Sequence, residues 1–227
     1  MGTNRSGNFT NGKERTQYKD RTGQIRKMNC GLKAEIIKYN TAKNIDIKFE
    51  NGLITNTTYY RFKKGVTRLP MIYTVINDSV ECENPNQNII FNIDLNDLDY
   101  VKKVGYWYLC KQGYIFSKKI NMHLHRYLLN ANKGDFVDHK DHNPKNNKKS
   151  NIRICTPGEN SRNRKKPVTN TSGYKGVSLH KKTKKWLAQI VYKKTHHFLG
   201  LFNSPKLAHK AYCKVAKELH GEFANYG

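Results

Sequence analysis

Val137-Asp138-His139-Lys140-Asp141-His142-Asn143-Pro144, followed by Asn146-Asn147, Asn151, Asn160 and Asn163, is the stretch around which the chain is organised. Phe136-Val137 reads as the end of a short strand, and Asp138-His139 stand where it gives way to a polar loop. Ile152-Arg153-Ile154 reads as the returning strand. Thr156-Pro157-Gly158-Glu159 then opens a helix: Thr156 is the N-cap, Pro157 takes the first helical position, and Glu159 completes a capping box. On that helix Asn160 and Asn163 fall at i and i+3, on one face. Strand, loop, strand and helix thus bring a carboxylate, an imidazole and several amides together.

Around this stretch lies a strongly basic chain of 227 residues, with 42 Lys and Arg against 17 Asp and Glu, a formal charge of +25, and 37% hydrophobic residues. That apolar share suits several small cores better than one large one. A charge of this size repels itself unless a polyanion neutralises it, so nucleic acid is the first expected partner and an anionic membrane the second. No apolar run reaches the roughly 18 residues that span a bilayer, and the N-terminus lacks the apolar core of a secretion signal. A soluble, intracellular (cytoplasmic) protein without a membrane partner is therefore expected. Cys30, Cys82, Cys110, Cys155 and Cys213 are widely spaced, with no Cys-x-x-Cys pair, and read as free thiols.

Taken in order, residues 1–28 read as a flexible basic arm, because Asn, Gly, Thr, Lys and Arg occur there without periodicity. Residues 29–76 read as a small β module, a barrel or meander, in which Ile45, Ile47 and Phe49 alternate with polar residues. Asn51-Gly52 is expected to supply two positive φ values for a tight hairpin turn. Residues 77–97 are rich in turn formers and read as a linker. Residues 98–168 form the module that carries the opening stretch, preceded by two aromatic strands near Tyr106–Leu109 and Gly113–Phe116. In residues 169–227, three short strands precede a helix with Ser204 as N-cap, Pro205 next, and an apolar stripe from Leu207 to Leu219. The fold class is α+β, ending in a three-stranded antiparallel sheet packed on one helix.

The central module resembles the HNH endonucleases, or ββα-metal nucleases, of the phage and intron-encoded homing type. The resemblance rests on His125-Arg126, Val137-Asp138-His139-Lys140-Asp141, Asn146-Asn147, Asn151-Ile152-Arg153 and Thr156...Glu159-Asn160. It implies that Asp138 and Asn160 ligate one divalent cation and that His139 takes a proton from the attacking water. Asn151 would orient the His139 ring, with His125, Arg126, His142 and Asn163 as supporting residues. The chemistry suits these types: magnesium takes oxygen ligands, few of them from protein, and histidine titrates near neutrality. Magnesium is the expected ion, manganese an alternative, and zinc is disfavoured for want of cysteine ligands; no small-molecule cofactor is expected. A lone Asp-His pair is ordinarily surface decoration and a lone Asn a turn residue, so the spaced set carries the reading. One departure is His142 where relatives commonly have Gly for a tight turn; a His is able to accept the positive φ of such a turn, and it places a second imidazole near the site.

Residues 170–227 resemble the APETALA2/ethylene-response-factor DNA-binding domain. Ser172-Gly173-Tyr174-Lys175-Gly176-Val177, Trp186...Ala188...Ile190, Leu199-Gly200...Phe202 and Ala208...Ala211-Tyr212 carry the match. The resemblance implies that the sheet enters the major groove, with Lys175, Ser178, His180, Lys182, Gln189, His196 and Phe198 facing it. Lys184 and Lys185 add charge on the first hairpin. These positions are rich in arginine and tryptophan in the plant domain, so its target site does not carry over. Together the two resemblances imply a site-directed endonuclease acting on double-stranded DNA, of phage or mobile-element origin. The alternatives are a DNA-binding regulator with a decayed centre, and an RNA binder, which the groove-reading sheet disfavours.

Overall fold

The computed structural model describes residues 19–227, so most of the expected N-terminal arm lies outside the described residues. The chain divides into two compact units, Met1–Pro70 and Met71–Gly227.

In the first unit, strands β1 (Ile25–Lys27), β2 (Lys33–Thr41), β3 (Asn44–Phe49) and β4 (Ile54–Thr57) form an antiparallel meander in that order, followed by helix α1 (Tyr59–Lys64). Alternation puts Ala34, Ile36, Ile45, Ile47 and Phe49 into a core closed by Phe62 of α1. Residues 25–27, expected in the flexible arm, instead pair with β2 as an edge strand. Their side chains are all exposed, which left no apolar pattern to read. The β3–β4 turn also differs from expectation. The Phe49 amide donates to the Leu53 carbonyl at 2.8 Å, and only Gly52 takes positive φ, +87°. A three-residue loop with glycine in the left-handed position satisfies the hairpin twist as well as a two-residue one.

The second unit begins earlier than the sequence suggested. Strands β5 (Ile72–Ile76), β6 (Ser79–Asn84) and β7 (Ile89–Asp94) form a three-stranded antiparallel sheet, and a short 3₁₀ turn, Leu95–Asp97, leads into helix α2 (Leu98–Val104). The stretch 77–97 is therefore not a linker. Val80, Cys82, Ile89, Phe91 and Ile93 are buried in one core with Val101, Trp107, Ile115, Leu124 and Ile152. Strands β8 (Tyr108–Leu109), β9 (Ile115–Ser117) and β10 (Met122–His123) form a second small sheet, and helix α3 (Leu124–Leu128) follows. Strands β11 (Phe136–His139) and β12 (Ile152–Cys155) pair antiparallel, with helix α4 (Pro157–Arg162) after them.

Strands β13 (Val177–His180), β14 (Lys185–Tyr192) and β15 (Thr195–Phe202) form the last sheet, followed by helix α5 (Pro205–His220) and a 3₁₀ turn, Gly221–Phe223. Ala208, Tyr212 and Ala216 of α5 are buried against Val177, Ala188 and Ile190 of the sheet. Gly176, at φ +73°, lies so close that an added Cβ would stand 2.1 Å from the Tyr212 ring, which only glycine tolerates. The expected division at 168/169 falls inside this compact unit.

Candidate active site

The opening stretch folds as its local chemistry dictates. In the β11–β12 ladder Asp138 stands opposite Arg153, and His139 opposite Ile152. The α4 capping box is complete: the Thr156 hydroxyl accepts from the Glu159 amide, and the Glu159 carboxylate accepts from the Thr156 amide at 2.8 Å. A cavity of about 280 Å³ is lined by Asp138, His139, His142, Asn160, Asn163 and Arg164, with Gln112, Tyr114, Val137 and Pro144 completing the wall. The helix thus brings both Asn160 and Asn163 to the Asp-His pair.

Asp138 and His139 are both buried. The Arg153 guanidinium donates to Asp138 Oδ2 from Nε at 3.2 Å and from Nη2 at 2.9 Å. The Asn163 amide donates to both carboxylate oxygens, at 3.0 and 2.8 Å, and to the His139 carbonyl at 3.2 Å. Asn163 is thereby a clamp on the Asp-His pair, a stronger placement than the supporting role expected of it. Asn160 reaches the cavity wall through the same helix.

Asn151 does not hold the His139 ring. Its amide nitrogen donates to Asp141 Oδ1 and to the Asn146 carbonyl, and its oxygen accepts from the Asp141 amide. Asn146 donates to the other Asp141 oxygen, at 2.7 Å. Three polar side chains therefore lock the 141–151 loop. Burial acts to raise the Asp141 carboxyl, but the Asn143 amide and the Asn146 and Asn151 side chains outweigh it and hold it below the usual carboxylate range.

The partner of His139 is Asn147, fully buried, whose Oδ1 lies 3.4 Å from His139 Nε2. Asn147 Nδ2 donates to the Pro144 carbonyl, which fixes the amide so that its oxygen faces the ring. Nε2 then carries the proton, and Nδ1 is the basic nitrogen. Burial pushes the His139 imidazole below its ordinary value, against the opposing effects of Asn147, Asp141 and Asp138, so the ring is neutral at neutral pH.

Asn147 is itself delivered by the stretch expected to be a linker. Its amide donates to the Asn92 carbonyl, and the Asn92 amide to the Lys145 carbonyl, each at 2.8 Å. Lys149 adds a bond from its amide to Asp94 and an ion pair to Asp97 at 2.6 Å.

The supporting residues divide by role. His125 packs its ring against Tyr114, His123 and His139 at centroid distances of 5.1, 5.4 and 5.1 Å. Burial first, then the charges of His139, His123 and Arg126, pushes its imidazole down to about 3. It is a neutral packing group. Arg126 donates to the Asp135 and Asn132 carbonyls, both at 2.6 Å, and so holds the loop leading into β11. His142 takes the positive φ its position demands, +60°. Its Nε2 accepts from the Asn225 amide at 2.6 Å, and Asn225 Oδ1 accepts from the Gly227 amide, so the nitrogen that might compete as a base is occupied.

The side-chain types suit a hard divalent cation: the carboxylate of Asp138 and the amide of Asn160 border one cavity. Among the described residues, no group of three or more His, Cys, Asp or Glu side chains is arranged to hold a metal ion. The cysteines are free.

In the last sheet, the ladder puts Ser178, His180, Lys185, Gln189, His196 and Phe198 on one face, opposite to that packed on α5: His180 pairs with Lys185, Gln189 with Phe198. Phe198 is 66% exposed there. Lys182 and Lys184 lie in the adjoining turn. Lys175 departs from the group: its Nζ donates to the Arg162 and Arg164 carbonyls, and burial pushes its amine down to about 8. Among the described residues, no helix is long and apolar enough to cross a membrane.

Arg153, Asn147 and Tyr114 are the residues whose roles the sequence did not disclose. For Arg153 the alternation of β12 was a usable signal, since it pairs directly across from Asp138.

The chain is similar to Protein 3.8 of Escherichia phage T7, 36% identical over 94 residues that cover 41% of this chain and 77% of that protein. It is also similar to the uncharacterized HNH endonuclease L560 of Acanthamoeba polyphaga mimivirus, 34% identical over 125 residues that cover 52% of this chain and 64% of that protein. No family model and no solved structure matches it.

Proposed function

The chain belongs to the family of Protein 3.8 of Escherichia phage T7, and we propose that it is a nuclease of HNH type that hydrolyses phosphodiester bonds of double-stranded DNA with one divalent cation. The observation that carries the reading is the single cavity bordered by Asp138, His139, Asn160 and Asn163. The likeness to a mimivirus protein named as an HNH endonuclease supports the same class.

In this reading Asp138 and Asn160 would hold the cation, magnesium or manganese. When bound, it supplies a counter-charge for the phosphate and for the leaving oxygen. His139 takes the proton of the attacking water on Nδ1, while Asn147 keeps the proton on Nε2 and so selects the tautomer. Asn163 fixes the Asp138 carboxylate against the His139 backbone. Arg164 on the cavity wall adds positive charge where a phosphate must enter. His125 and Tyr114 exclude water from one side of the His139 ring.

The exposed face with Ser178, His180, Lys185, Gln189, His196 and Phe198 supplies duplex affinity. Lysines there meet phosphates, whereas the Gln189 amide is of the type that pairs with an adenine edge. Joined to the nuclease centre, such a face makes the enzyme site-directed, of the homing type, and the formal charge of +25 draws it to its polyanionic substrate.

The test is cleavage of duplex DNA from the genome that carries the gene, with and without magnesium. His139→Ala is expected to lower the rate ~10²–10⁴-fold while leaving DNA binding intact. A variant that cuts as fast as the parent would remove His139 as the base. Tight binding with no cleavage under any divalent ion would favour a DNA-binding regulator instead.

A further inference from the structure

We propose that Arg153 is a positioning residue for the cation site, and that the end of the C-terminal module, Glu222-Phe223, sets Arg153; this rests on the metal-dependent reading above. The two oxygens of Asp138 are not equivalent. Oδ2 accepts from Arg153 Nε, Arg153 Nη2 and Asn163 Nδ2, at 3.2, 2.9 and 2.8 Å. Oδ1 accepts from Asn163 Nδ2 alone, at 3.0 Å, among the described residues. A carboxylate offers about four lone-pair sites. Oδ2 is saturated, and the coordinating capacity is left on Oδ1. Arg153 thereby selects which oxygen a cation meets and stops the carboxylate from turning.

Arg153 does not hold itself in place. Its side chain is 10% exposed. Nη1 donates to the Glu222 carbonyl at 2.8 Å and to Glu222 Oε2 at 3.2 Å. The Phe223 ring covers the guanidinium at 3.6 Å from its central carbon. The guanidinium is thus bounded by a carboxylate on one edge, a backbone carbonyl on another and an aromatic face. A planar fork suits such a place and a lysine does not. Glu222 and Phe223 sit in the 3₁₀ turn that follows α5. The turn that ends the DNA-reading module is consequently part of the outer shell of the nuclease centre, 69 residues away in sequence.

Partners of this kind commonly change metal affinity 10–100-fold when removed. The experiment is calorimetric titration of the full chain with Mn²⁺ in the absence of DNA, paired with duplex binding measured without metal and with thermal unfolding. Parent, Asp138→Ala, Arg153→Lys, Phe223→Ala and Glu222→Gln are compared; Glu222 is 68% exposed in its side chain, so its variant folds regardless of the others. Arg153→Lys and Phe223→Ala are expected to weaken Mn²⁺ binding about 10–100-fold, Glu222→Gln severalfold, all with parental duplex affinity. Parental Mn²⁺ affinity in the folded variants overturns the proposal, as does a loss of Mn²⁺ binding that merely tracks a loss of duplex binding or of folding. A parent with no Mn²⁺ site dependent on Asp138 would instead overturn the metal-dependent reading itself, and this inference with it.

Discussion

Replacing His125 with phenylalanine should relieve residues 71–227 of a large part of their acid sensitivity. His125 is 6% exposed, its Nδ1 has no hydrogen-bond partner among the described residues, and its surroundings are the rings of Tyr114, His123 and His139 with Arg126 nearby. Burial and these neighbours lower its pKa from an ordinary 6.5 to about 3. Its folded value lies below its unfolded value, so the unfolded chain takes up the proton first. Stability is therefore complete above about pH 6.5 and is lost as the pH falls towards 3. At about 1.4 kcal/mol per unit, the loss is roughly 2 kcal/mol by pH 5 and about 3 kcal/mol by pH 4. Against a typical domain stability of about 5–15 kcal/mol that is decisive. His123, His139, His142 and His220 are lowered too, each chiefly by burial, so only the difference between parent and variant isolates His125. The assay is denaturant unfolding followed by Trp107 fluorescence in a Trp186→Phe background, from pH 7 to about 4. At neutral pH the variant should stay within about 1.5 kcal/mol of the parent, because shape is nearly kept and an unpartnered buried nitrogen is removed. Identical losses on acidification in both proteins would refute the argument.

Asn147→Ala should slow cleavage about tenfold and move the acidic limb of the rate–pH profile to lower pH, because the hydrogen bond it removes is one that raises the His139 pKa; an unchanged profile would show that Asn147 does not set the ring. Changing Lys182, Lys184 and Lys185 together to glutamine should reduce the salt slope of duplex binding by up to about 2.7, at about 0.9 per phosphate contact. Anisotropy titrations at several salt concentrations would expose an unchanged slope. A fragment of residues 71–227 should cleave DNA, whereas one starting at residue 98 should fail to fold, because it discards Val80, Cys82, Ile89, Phe91 and Ile93 from the shared core. A well-folded, active shorter fragment would contradict the assigned role of β7.

What the sequence disclosed was local. Strand β11, strand β12 and the capped helix α4 are written in adjacent residues, and so is the face shared by Asn160 and Asn163. The hairpin β6–β7 stayed hidden because a polar residue occupies a core position. Asn84 is fully buried, with its amide donating to the Trp107 carbonyl at 2.8 Å and its oxygen accepting from Asn86. Set in Glu83-Asn84-Pro85-Asn86, it disguises the alternation of Val80, Cys82, Ile89, Phe91 and Ile93 as a run of turn formers. The roles of Asn147 and Asn151 were illegible for another reason. Spacing says that both lie near His139, but which amide faces the ring depends on bonds to Asn92, a partner that no local pattern identifies.

The same physics explains why the centre cannot be a freestanding motif. A two-stranded ribbon is marginal in water, and a helix of six residues is far below the length at which helices persist alone. The stretch 137–144 therefore borrows its order. Asp138 is held by Arg153, which Glu222 and Phe223 hold in turn; His139 is held by Asn147, which Asn92 positions; and His142 is held by Asn225. Each of the three chemically capable groups is oriented by a segment lying outside the strand-loop-strand-helix unit, two of them beyond its C-terminal side and one before it. Polar groups fixed in this way are oriented before a substrate arrives, which is where electrostatic catalysis gains most. The Asp138 pocket and the C-terminal sheet-helix unit are therefore not separable, and a change at residue 222 or 223 is expected to reach Asp138 through Arg153.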